Sequence, residues 1–226
     1  MTGMDVKNAR LQAGWTQMLA ARKLRVTQAY LSMVEGGSRA VSDDLNRKAL
    51  RVFDLPPTLA PFDGDVLSAS DDGLKAALGA LGYPGFAYLK RQRKLNPAQV
   101  LFTALNQSDL DARTIEGLPW LVFAYPDMDW LWLTEKTKLR DRQNRLGFVV
   151  TLASELAQKQ DPCRAKPLTE VREVLDRSRL AGEGTLCHDS MTNAERTWLR
   201  ENRLQEAAYW NLLTDLTADH LVHVSI

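Results

Sequence analysis

A carboxamide donates and accepts a hydrogen bond at once, which is what the major-groove edge of adenine requires. Gln28 heads a short amphipathic segment, residues 28–34, where such a group would point outward. Ala29, Ser32 and Met33 fall on the same open face at helical spacing, and Ala29 and Met33 offer apolar surface to a thymine methyl. The bland alternatives are an exposed helix-start polar residue for Gln28 and a packing residue for Met33. With so few bonding side chains on this face, selectivity would depend partly on DNA shape and on a second half-site, which implies a dimer. A second group, Cys187-His188-Asp189, combines side chains that coordinate metals and deprotonate readily. Three adjacent residues cannot converge on one point from a helix or strand, and His220 and His223 add no pattern. Gly182-Glu183-Gly184 lacks the lysine and the preceding strand of a phosphate loop. No catalytic residue, metal site or cofactor is therefore expected; an enzyme would need a deep polar pocket around Cys187 and His188.

The elements that would position Gln28 lie between Trp15 and Gly37. Two short helices joined by a tight turn fit this stretch, with Thr16 and Thr27 each placed to cap a helix start. Leu19, Ala20 and Leu24 would face inward with Leu31 and Val34, leaving Gln17 and Gln28 open at the helix starts. That is the geometry of a helix-turn-helix. A preceding helix over residues 5–13 would turn Val6, Ala9 and Leu11 or Ala13 inward and stop at Gly14. A following one, capped by Ser42, would return Leu45, Leu50 and Val52 to the core before Leu55-Pro56-Pro57 ends the module.

From V-K-N-A-R-L-Q-A-G through T-Q-M-L-A-A to V-T-Q-A-Y-L-S-M-V-E-G-G-S-R, the chain resembles the Cro and lambdoid-repressor (Xre) helix-turn-helix proteins, over residues 4–57 and without a gap. The resemblance implies that Arg10 and Glu35 form the ion pair tying the first helix to the end of the recognition helix. It implies base readout by Gln28, Ala29, Ser32 and Met33. Backbone contacts are expected from Lys7, Thr16, Gln17, Arg25, Thr27, Ser38 and Arg39, with Arg39 the leading phosphate candidate in its loop. Two positions depart from the family pattern: Ala20 replaces a leucine, and Arg25 replaces the turn glycine. Arg25 would need a left-handed backbone, at about 1 kcal/mol, if the turn is unaltered.

Charge is distributed to match. The net charge is +1 over 226 residues, yet residues 1–60 hold nine cations against five anions and the remainder is acidic. A basic head suits phosphates, although an excess of four arises by chance in many small domains. Two isolated cysteines exclude a secreted disulfide framework. No apolar leader and no membrane-length run occur, so a cytoplasmic location without membrane contact is expected.

The domains read as 1–57 for DNA binding, 58–70 as a linker docked through Leu59, Phe62, Val66 and Leu67, and 71–226 as a larger helical body. Helices are expected over residues 72–81, after Asn96-Pro97, over 110–124 with Pro119 bending or breaking it, over 169–180, after a Thr192–Glu195 capping box, and over 205–213. The longest would run from Trp130 to Gln160. No period-two alternation or repeat appears, so the class is all-α, with a five-helix-type module ahead of the body. Trp120, Trp130, Trp132, Trp198 and Trp210 are assigned to packing and dimerisation, with Trp120, Trp130 and Trp132 as the partner or dimer residues. The patch 86–94 mixes aromatics with cations and fits either a contact surface or a solvated turn.

These features predict a repressor-like regulator that binds an inverted-repeat operator in double-stranded DNA as a homodimer. Its body would bind a partner, by analogy a toxin in an antitoxin that regulates its own operon. The alternatives are a small-molecule-responsive repressor and an interaction module whose DNA contact is secondary.

Overall fold

Hydroxyl and carboxylate side chains set most helix starts in this computed structural model, which describes residues 1–62, 70–89 and 94–221. Helix α1 (Gly3–Gln12) opens on a capping box: the Thr2 hydroxyl accepts from the Asp5 N–H while the Asp5 carboxylate accepts from the Thr2 N–H. Thr16 caps α2 (Gln17–Leu24), Thr27 caps α3 (Gln28–Glu35) and Ser42 caps α4 (Asp43–Val52), each accepting from the backbone N–H three residues on. A 3-10 turn over Pro57–Leu59 follows.

Val6, Ala20, Ala21, Leu24, Leu31, Val34, Leu45 and Ala49 form one core for these helices. Three expectations need correcting. Leu11 is 56% exposed and Ala13 is exposed as well, because Arg10 takes the inward position on the last turn of α1. Leu19 is 40% exposed, its place in the core falling to Ala21. On α4, Leu50 and Val52 are only half-buried, while Ala49 closes against the core. Small residues keep the helices close: a Cβ on Gly3 would lie 1.9 Å from the Val34 carbonyl oxygen.

The chain divides into two units, Met1–Asp63 and Gly64–Ile226. Pro57 and Ala60 are buried and the Asn46 Nδ2 donates to the Leu59 carbonyl at 3.2 Å, so residues 58–62 pack as part of the first unit. Val66 and Leu67 lie outside the described residues.

The second unit holds α5 (Asp71–Leu81), a 3-10 segment Pro84–Leu89, α6 (Pro97–Leu105), α7 (Ala112–Ala124), α8 (Trp130–Lys138), α9 (Gln143–Gln160), α10 (Pro162–Asp176), α11 (Asn193–Asn202) and α12 (Gln205–Tyr209). Two residues of β1 (Gly184–Thr185) pair in parallel with two of β2 (Leu212–Leu213). The chain is otherwise all-α among its described residues. Helix α9 is buried around most of its circumference and packs against α7 and α10. Its Gly147 admits the Trp210 ring, which would meet an added Cβ at 2.3 Å.

The expected Trp130-to-Gln160 helix is two helices. Asp141 takes φ 53°, the Arg142 N–H donates to the Thr137 carbonyl, and Leu139 is left 76% exposed in the turn. The helix expected over 169–180 starts earlier and ends earlier, because Asp161 caps it and Pro162 occupies its first turn. That expected over 205–213 stops at Tyr209, since Leu212 and Leu213 pair with β1.

Candidate nucleic-acid interface

A buried ion pair anchors the exposed face of α3. The Arg10 Nε donates to Glu35 Oε1 at 2.7 Å and its Nη2 to Oε2 at 2.8 Å, while Nη1 reaches the Trp15 carbonyl at 2.9 Å. Burial opposes ionisation of Glu35, but the hydrogen bonds from Arg10 and Gln17, with Lys7 nearby, hold its carboxyl below the ordinary value. The same bond to Glu35 raises Arg10.

From this pair a line of amides runs to the surface. The Gln17 Nε2 donates to Glu35 Oε2 at 2.9 Å, and the Gln28 Nε2 donates to Gln17 Oε1 at 2.9 Å. A carboxylate only accepts, so Gln17 must turn its NH2 to Glu35 and its oxygen to Gln28. Gln28 must then answer with its NH2. Its carbonyl oxygen and its second N–H remain for a ligand, which is the donor-acceptor pair that adenine N6 and N7 match.

Gln28, Ala29, Ser32 and Met33 are all exposed, with Met33 at 42%. Beyond the end of α3, Arg39 lays its guanidinium 4.9 Å from the Tyr30 ring centroid, and the Tyr30 hydroxyl lies 3.4 Å from the Ser42 Oγ. The ring therefore steers an exposed cation, a part that sequence reading missed; the spacing of an aromatic nine residues before an arginine carried no signal of it. Thr16 and Thr27 are exposed and use their oxygens as caps, and Lys7 is half-buried.

Two of the residues expected at the duplex backbone, Ser38 and Arg25, also serve local structure. Ser38 directs both its hydroxyl and its N–H to the Met33 carbonyl, so its donors serve the helix end. Arg25 does take the left-handed backbone, at φ 56° and ψ 50°. Its side chain, however, lines a recess of about 320 Å³ with Lys23, Lys48 and Arg51. That recess sits at the end of α2 opposite Gln17, roughly 10 Å along the helix axis.

Residues 6–59 match the family model described as Helix-turn-helix. The first unit carries a helix-turn-helix module of the Cro and Xre type. The match covers about a quarter of the chain and marks it as a DNA-binding transcription regulator. No curated protein and no solved structure matches the chain.

Outside the helix-turn-helix module, the other candidates separate. Trp120 is 5% exposed and packs at 5.3 Å from Tyr83, so its assignment to a partner surface is corrected to core. Trp130 and Trp132 are half-buried, Trp130 donating to the Pro126 carbonyl and Trp132 stacking edge-on with Phe102. Trp210 is buried and donates to the Thr151 hydroxyl, whereas Trp198 is 56% exposed. In the patch 86–94, Phe86 is buried and Tyr88 exposed; residues 90–93 lie outside the described residues. Cys187 is fully buried, and burial pushes its thiol up to about 11, while the adjacent His188 is exposed. The two side chains thus diverge. No helix among the described residues is long and apolar enough to cross a membrane.

Proposed function

We propose that the chain is a sequence-specific repressor that binds an inverted-repeat operator as a homodimer, with the second unit joining the subunits and receiving a partner. The observation that carries this reading is the exposed Gln28 amide, whose polarity is set by Gln17 and the buried Arg10–Glu35 pair. Ala29, Ser32 and Met33 complete the reading face, and Arg39, Thr16, Gln17, Thr27 and Lys7 supply the contacts to the duplex backbone. An apolar, sparsely hydrogen-bonding face favours a second half-site, which a dimer provides.

For the partner, the reading is a protein such as a toxin, in an antitoxin that regulates its own operon, by analogy with other helix-turn-helix regulators. A cavity in the second unit supports a second reading, a repressor that answers to a small molecule.

Selection of bound duplexes from a random pool tests the first claim. The chain should enrich a palindromic site containing adenine at a fixed position, and Gln28→Ala should lower discrimination there by about 1–3 kcal/mol. Arg39→Ala should weaken all sequences alike and reduce the salt slope by about 0.9. Enrichment of no sequence, or unchanged discrimination in Gln28→Ala, would overturn the reading.

A further inference from the structure

In the second unit the start of α7, the loop after β1 and the residues after β2 line a half-open cavity of about 430 Å³, within the range of small-molecule sites. Ile115, Leu186 and Leu216 give it apolar walls, and Leu186 and Leu216 are themselves buried. Its polar groups are Glu116, His188, Asp215 and Thr214, whose hydroxyl accepts from the Leu216 N–H at 3.2 Å. Among the described residues neither carboxylate has an ion-pair partner. Two further carboxylates, Asp109 and Glu195, lie within electrostatic reach of His188. The nearby Arg196 spends its guanidinium on the carbonyls of Asp189 and Met191 and does not line the cavity.

The walls are fixed before any ligand arrives. Buried Arg145 donates to the carbonyls of Leu105, Gln107 and Thr185 and to the Asp189 carboxylate, which ties the loop after β1 to the end of α6. The Leu110 N–H donates to the Cys187 carbonyl at 2.9 Å and the Ser190 N–H to Asp109 Oδ1 at 2.9 Å. A preformed site avoids the cost of ordering its walls on binding.

We infer that this cavity is a binding site for a small organic cation, an apolar body bearing one protonated amine held between Glu116 and Asp215. The inference deepens the small-molecule reading of the second unit, and its test needs no DNA, so failure of operator binding and failure of ligand binding are read separately. Calorimetry on the full chain would compare tryptamine, the neutral alcohol tryptophol and the anion indole-3-acetate, which share one ring system. Tryptamine should bind about tenfold or more tightly than either analogue, and Glu116→Gln with Asp215→Asn should bring tryptamine down to the affinity of tryptophol in the same variant. Should the double variant fail to fold by circular dichroism, Asp215→Asn alone, at an exposed position, should cut the preference. The inference is overturned if none of the three binds saturably, if tryptophol binds as tightly as tryptamine, or if a folded variant keeps the full preference.

Discussion

Arg10 and Glu35 illustrate how a buried charge pair serves a surface group. The pair removes two charges from water, a cost offset by two short hydrogen bonds within the pair and by further bonds to the Trp15 carbonyl and from Gln17. Its contribution depends on Glu35 being ionised. Because the folded-state carboxyl lies below its ordinary 4.5, that stability is fully present above this value and is lost as pH falls through the folded-state value. Glu35→Gln should cost about 3 kcal/mol near neutral pH, read as lost hydrogen-exchange protection in α1 and α3, and should remove most of the acid-dependent loss of protection there. An unchanged acid profile in the variant would remove the pair from this role. Gly147 makes the complementary case for packing. A methyl group there would sit 2.3 Å from the Trp210 ring, so Gly147→Ala should lower the melting temperature of the second unit despite alanine's better helix propensity, with a cost of about 1–3 kcal/mol.

At the level of elements, the turn between α2 and α3 sets the angle at which Gln28 is presented. Arg25 closes α2 in a left-handed conformation that glycine adopts without strain. Arg25→Gly should therefore stabilise the first unit by up to about 1 kcal/mol in urea unfolding, with sequence selection retained. Loss of stability would mean that the arginine side chain contributes more to the recess it lines than its backbone costs. The helix-turn-helix was legible because its caps, its apolar spacing and its turn are all local. The break between α8 and α9 was not. Apolar residues continue at helical spacing from Trp130 to Leu156, and no proline or glycine marks the turn at Leu139–Arg142; only the backbone of Asp141 and the bond from Arg142 to Thr137 show it.

For the whole molecule, the proposed division of labour makes a separable prediction. A fragment of residues 1–62 retains the complete core of the first unit, so it should fold and select the same half-site as the full chain. It should bind a full palindrome more weakly, by about 10²-fold or more, because the second half-site is no longer joined through the second unit. Equal affinity in gel shifts would remove dimerisation from the second unit. The chain's own sequence determined its helical class, its basic head and the two capped helices that present Gln28, since caps, periodicity and turn residues act within a few positions of one another. Tertiary structure alone decided which way the Gln17 and Gln28 amides point, that Trp120 is interior, and that Glu116, His188 and Asp215 share one cavity. Those outcomes depend on groups far apart in sequence meeting across packed helices, where hydrogen-bond partners and excluded volume, rather than spacing along the chain, make the choice.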